Sequence, residues 1–349
     1  MTGFERAIRR IYGLKAKRIF ITSLSLAILS VFSVSLAQNV TFFRIGTGST
    51  SGTYFPIGTL IGATITGPPG SRACEDGGSC GVPGLIAAAQ TTRGSVSNIR
   101  GVLDGSLETG LAQSDIIYAA YNGEGVFTGK GEARKNLRVI ANLYPENVHL
   151  IVRNGAGISS IADLKGKRIS IDLPGSGTRE NAKTILKAYG ISQKDYIPVE
   201  ANADKAVGLL SDDELDAFFF VAGYPAAAVV ELAESGLIDL LPISGTEAGA
   251  VIKDHQFFAL SNIPEGTYDG IAEVSTLAVS TQWIVNAKMD EDLVYALTRS
   301  LWHPRNRPLL DSGHVKGKLI RLETALRGVG ELLHPGAKKF YMEARDGAD

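Results

Sequence analysis

Two turns in this 349-residue chain hold the residue types that grip a small anion. The first is Pro174-Gly175-Ser176-Gly177-Thr178-Arg179. Residues 167–173 before it read as a strand. Residues 178–189 after it carry Ala182, Ile185, Leu186 and Tyr189 at helical spacing and stop at Gly190. A glycine-lined passage from strand to helix aims free backbone N–H groups at one point, backed by the positive end of the helix dipole. Ser176, Thr178 and Arg179 add donors, and the trap is sized for a carboxylate or a single phosphate. An ordinary connecting turn has the same composition, so this segment alone leaves both readings open. The second turn runs Gly46-Thr47-Gly48-Ser49-Thr50-Ser51-Gly52-Thr53-Tyr54 after a short strand at 41–45. Its glycines fit a dinucleotide-binding loop loosely: the third comes one residue late, and no strand with an acidic end follows on schedule. Its hydroxyls suit a small polar ligand better.

Other chemistry is sparse. The five histidines (His149, His255, His303, His314, His334) fall in no Ser/His/Asp or metal spacing, and no Gly-x-Ser-x-Gly elbow follows a strand. A non-enzyme is expected, with no metal and no cofactor; a periplasmic hydrolase is the remaining catalytic alternative. The two cysteines, Cys74 and Cys80, share one glycine-rich loop, which makes a short disulfide the leading reading, with free buried thiols as the bland alternative.

The elements that must position these turns follow a leader. Residues 1–37 show a basic stretch (Arg6, Arg9, Arg10, Lys15, Lys17, Arg18), an apolar run at 19–36 and a small-x-small site ending at Ala37, before Gln38. A cleaved signal peptide is expected, and with it a periplasmic address. A membrane anchor is the alternative. Removing the leader takes six of 35 basic residues and one of 36 acidic ones, leaving 29 against 35 and a net charge of −6. That balance argues against nucleic acid as a partner.

The remaining 312 residues (349 less 37) suggest two domains. Strands are expected at 87–92, 108–113, 137–143 and 148–152, the last two joined at 144–147. Helices are expected at 57–65, 94–103 and 116–121. The middle alternates strand and helix: 168–172, 178–189, 196–200, 203–210, 217–221, 226–235 and 238–242. This is the pattern of a parallel α/β sheet. Strands at 257–263 and 276–285, and helices at 290–302, 319–326 and 337–343, complete it. Ligands in such sheets sit beyond the carboxyl ends of the strands. Two α/β units facing each other would therefore make a cleft with a donor-rich turn on each wall.

Seven segments in order strengthen this reading: Gly46–Gly52 by number 46–52, then Leu111-Ala112-Gln113-Ser114-Asp115, Leu143-Tyr144-Pro145-Glu146, Asp163-Leu164-Lys165-Gly166-Lys167-Arg168, the 174–179 turn, Asp216-Ala217-Phe218-Phe219-Phe220 and Leu333-His334-Pro335-Gly336-Ala337. Together they resemble the TAXI-type solute-binding proteins of TRAP transporters. The resemblance implies a two-lobed, type II-like periplasmic binding-protein fold, with each lobe an α/β sandwich and the ligand cleft between lobes. It implies one lobe from 38–143 plus 284–349, a second from 144–283, and hinge strands near 143–152 and 276–285. It implies a monomer that binds a small carboxylate such as glutamate or 2-oxoglutarate and delivers it to TRAP-type permease subunits. A sensor or adaptor for a membrane receptor is the alternative. The ligand shell carried over by position is Ser49, Thr50, Ser51, Thr53, Tyr54, Gln113, Ser114, Ser176, Gly177, Thr178, Arg179, Phe220 and Tyr224.

Overall fold

The structure, a computed structural model, describes residues 40–129 and 132–346. The expected leader lies outside the described residues. The fold is two-lobed and mixed α/β. The lobes share one sheet, whose strands are β1 (Thr41–Gly46), β2 (Thr66–Gly67), β3 (Val82–Pro83), β4 (Leu85–Gln90), β5 (Thr109–Gln113), β6 (Leu137–Arg153), β7 (Arg168–Ser170), β8 (Ile197–Pro198), β9 (Ala217–Ala222), β10 (Ile238–Leu240), β11 (Ala259–Ile263) and β12 (Val274–Asn286). In space the main order is β3-β2-β4-β1-β5-β12-β6-β9-β7-β8.

β1 runs parallel to β4 and β5, with Ile45 opposite Ala89 and Thr109. The helices that matter for the cleft are α1 (Tyr54–Ile65), α2 (Ser95–Asp104) and α3 (Ser114–Asn122), then, after the short α4 (Glu132–Asn136), α5 (Gly177–Ala188). One core joins Ile45, Ile57, Ile61, Leu111, Leu143, Trp283 and Leu297. Another joins Val148, Leu150, Ile169, Ile185, Phe219, Leu277 and Val279. β6 and β12 feed side chains to both cores.

Local pattern and tertiary structure part company at four places. Residues 144–147 form no connection. They continue β6, with Tyr144 opposite Thr281 and Asn147 opposite Ala278. Pro145 reads as a strand-breaker by type, but pairing with β12, where Ser280 lies opposite it, carries the strand through, and β9 joins only from Asn147. In the middle of the chain, where a parallel sheet is expected, pairing is parallel only across β7, β8 and β9, since β6 lies antiparallel to β9 and β10 lies antiparallel to β6. The helix expected at 319–326 is replaced by 3₁₀ turns at Val315–Leu319 and Leu322–Thr324. Backbone groups there find partners across the fold instead of one turn back, as when Asn142 N donates to Ala325 O at 2.7 Å. A helix at Gly245–Asp254 goes unread in the sequence, where Gly245 and Gly249 dilute its apolar face.

Cys74 and Cys80 are disulfide-bonded, with Cα atoms 4.6 Å apart. The loop is held from outside as well. The Arg305 guanidinium donates to the carbonyls of Cys74 and Glu75, and His303 Nε2 lies 3.6 Å from Cys74 Sγ. Replacing both cysteines with serine should therefore cost under about 2 kcal/mol, since so short a loop constrains the unfolded chain weakly and the loop keeps its arginine clamp. A chemical-denaturation midpoint for the double variant checks this.

Candidate functional site

The strand ends and helix starts converge on a partly open cleft of about 110 Å³. One water needs about 10–15 Å³ on this measure, so the space admits a small molecule and no macromolecule. Three helix starts face it: α1 through Thr53 and Tyr54, α2 through Gly94 and Ser95, α5 through Ser176 and Gly177.

The α5 start is built by its own residues. Gly175 adopts a left-handed φ of +104°, which glycine alone accepts readily. Ser176 is the N-cap, its Oγ accepting from Arg179 N at 3.0 Å. Thr178 Oγ1 accepts from Val221 N at 3.1 Å and so ties α5 to β9. The walls also bond to each other. Ser97 N donates to Gly175 O (3.0 Å), Thr53 Oγ1 to Gly223 O (2.6 Å), Ser51 N to Asp204 Oδ1 (3.0 Å) and Asn181 Nδ2 to Asp115 Oδ2 (2.5 Å).

Of the residues expected in the shell, Ser49, Thr53, Tyr54, Gln113, Ser176, Gly177, Thr178 and Phe220 line this cleft. Five stand outside its lining. Thr50 faces a neighbouring groove with Phe55 and His314. The Ser51 backbone is committed to Asp204. Ser114 Oγ accepts from Ser280 N and faces a separate hollow beside Tyr118. Arg179 turns away, donating to Asp172 O at 2.9 Å and lying 3.6 Å from Glu200. The Tyr224 ring is covered by Lys316 Nζ at 3.4 Å from its centroid.

Two carboxyl groups in the lining went unread. Glu146 is 1% exposed and accepts from Tyr54 Oη at 2.9 Å. Burial pushes its pKa up to about 8; hydrogen bonding to Tyr54 and Thr281 and the charge of Lys316 pull the other way, while Asp115 adds to the rise. Asp172 lies at the mouth of the α5 turn, with a left-handed φ of +73°. Burial raises it to about 6 against the hydrogen bond from Leu173 N. Glu146 lay in a stretch that the sequence presents as a connection. Asp172 sits two residues before Pro174 of the glycine turn, where an acidic side chain could have been noticed. Ser95 and Asn202 also line the cleft, on elements with no distinctive motif.

These contacts set expectations for two variants. Thr178→Val orphans the buried Val221 N–H and should destabilise the protein by about 1–3 kcal/mol, besides weakening any ligand at the turn about tenfold or more. Arg179→Gln should leave affinity within about twofold, since a side chain already paired with backbone and Glu200 has little to offer the cleft. Calorimetry with parallel thermal melts separates the two effects.

The family model described as the NMT1-like family matches residues 45–344. Among solved structures, a Bordetella bronchiseptica RB50 protein is 16% identical with a TM-score of 0.50, covering 86% of this chain and 82% of its own. MatC from Rhodopseudomonas palustris with bound malate is 13% identical with a TM-score of 0.49, covering 88% and 99%. The alkanesulfonate-binding protein SsuA from Xanthomonas axonopodis pv. citri, bound to MOPS, is 16% identical with a TM-score of 0.44, covering 87% and 84%. At such identities the likeness concerns the fold.

Proposed function

The chain belongs to the NMT1-like family, and on that premise we propose that it is a periplasmic solute-binding protein that captures a small organic acid for a membrane transport system. The observation that carries this reading is the donor-lined cleft itself. Three helix starts face one small space, and the buried Gln113 Oε1 within it has no partner among the described residues. Helix starts favour an anion, and an unsatisfied buried acceptor calls for a bound donor. The ligand carboxylate belongs at the α5 start, taken by backbone N–H groups and by the Ser176 and Thr178 hydroxyls. Neutral donors of this kind match a carboxylate and still release it, as a carrier must.

The finer assignments are ours as well. The seven segments shared with TAXI-type proteins favour a TRAP-type permease as the recipient, with glutamate, 2-oxoglutarate or a related acid as cargo. The lobes are 38–143 plus 284–349 and 144–283, hinged at β6 and β12. The leader is cleaved after Ala37 on export. A thermal-shift screen of organic acids and amino acids on the mature protein, followed by small-angle scattering, tests the proposal. A bound acid should raise the melting temperature and favour the shut form, giving a radius of gyration no larger than that of the free protein. Absence of any carboxylate hit would sink the reading.

A further inference from the structure

The buried end of the cleft holds acceptors in excess of donors. Glu146 and Gln113 are 1% and 2% exposed, and both line the space. The Glu146 carboxyl accepts from the Tyr54 hydroxyl, which in turn lies 3.3 Å from Ser95 Oγ, and the neutral Thr281 hydroxyl is its other neighbour. Gln113 Oε1 has no partner among the described residues, and a Cβ on Gly177 would overlap it. Asp172 adds a second carboxyl to the lining. The nearby cations make no direct contact with these groups, although the charge of Lys316 reaches Glu146 at longer range. Lys316 spends its ammonium on the Tyr224 ring and forms no ion pair with Glu146 among the described residues. Arg93 is exposed at the rim, with Nη1 donating to Pro174 O at 3.5 Å.

A carboxyl this deeply buried ionises only beside a positive charge, and a buried carbonyl without a donor is costly; one group answers both: a protonated amine, which carries positive charge and several N–H donors. We propose that Glu146 and Gln113 form an acceptor pair for a ligand ammonium, so that the cleft selects amino acids over the 2-oxo and 2-hydroxy acids of the same skeleton. This rests on the reading above, in which the α5 start holds the ligand carboxylate. A zwitterion then places its two charges on opposite features of the cleft: the carboxylate on helix-start donors and the ammonium on side-chain acceptors. A 2-oxo acid brings a carbonyl oxygen, which leaves Gln113 Oε1 without a donor and gives Glu146 no positive charge to ionise against. A 2-hydroxy acid brings a single neutral donor.

Calorimetry on matched triplets tests the proposal: alanine, pyruvate and lactate; glutamate, 2-oxoglutarate and 2-hydroxyglutarate; leucine, 4-methyl-2-oxopentanoate and 2-hydroxy-4-methylpentanoate. In at least one triplet the amino acid should bind about ten- to a hundredfold tighter than its 2-oxo partner. In Glu146→Gln, that advantage should shrink to about threefold or less, because an amide offers the ammonium a neutral oxygen in place of a charge. Oxo or hydroxy acids binding as tightly as the amino acids would overturn this inference and leave the carboxylate reading standing. An unchanged advantage in Glu146→Gln would overturn the role of Glu146. Binding by none of the nine would overturn the carboxylate reading itself. Should Glu146→Gln fail to fold, as judged by circular dichroism, the wild-type triplets still decide.

Discussion

The ligand-free protein should lose roughly 2 kcal/mol of stability between pH 6.5 and pH 8, and Glu146→Gln should abolish that loss. In the unfolded chain a glutamate ionises near 4.5, whereas burial holds Glu146 in the folded chain protonated up to about 8. Between those values the folded state carries a proton that the unfolded state has shed. Stability is therefore full at low pH and falls as pH rises, at up to about 1.4 kcal/mol per pH unit. The other strongly shifted groups act outside the window. Asp115 and Asp172, raised to about 6 chiefly by burial, exert their effect below 6. His149, lowered to about 4 by burial, opposes them but only below its ordinary value of 6.5. Lys316, lowered to about 8 by burial, acts above 8. Urea midpoints at the two pH values, for wild type and variant, make the measurement. Parallel slopes in the two proteins would mean that Glu146 is already ionised in the folded state.

Gly177→Val should abolish ligand binding, by about a hundredfold or more, and leave each lobe folded. A Cβ at this first position of α5 would overlap the Gln113 carboxamide and stand 2.9 Å from Ser95 Oγ, both on the opposite wall of the cleft. The clash exists only when the walls meet, so it acts on closure and leaves the core packing of either lobe intact. Near-native circular dichroism, a larger radius of gyration than wild type, and no calorimetric signal with any acid that binds wild type are the expected set. Native affinity in this variant would show that the walls part enough in the bound state to accommodate a side chain, which the closing hydrogen bonds from Ser97 N to Gly175 O and from Thr53 Oγ1 to Gly223 O argue against.

Much of the fold was legible because local forces suffice to produce it. The apolar spacing of Ala182, Ile185 and Leu186, a serine N-cap and the closing Gly190 specify α5 within a few residues of its observed bounds. The hydroxyl-rich loop before α1 and the glycine turn before α5 announce a donor-rich cleft, and Ser49, Thr53, Ser176 and Thr178 do line it. The cysteine pair, six residues apart, is bonded.

The rest was set by partners distant in sequence. Tyr144-Pro145-Glu146-Asn147 reads as a connection by type, yet pairing with β12 extends it straight through, and that places Glu146 in the cleft wall and Asn147 opposite Ala222 of β9. Whether Arg179 faces a ligand depends on the carbonyl of Asp172 and on Glu200, which the pattern of its own helix does not reveal. The sequence by itself determined the helices, the turns and the donor chemistry at their ends, because capping, periodicity and glycine conformations act over a few residues. The tertiary structure alone decided which acceptors lie buried beside those donors and what charge they carry. Burial and pairing are properties of the assembled walls, and desolvation moves a carboxyl such as Glu146 only once the rest of the chain has closed around it.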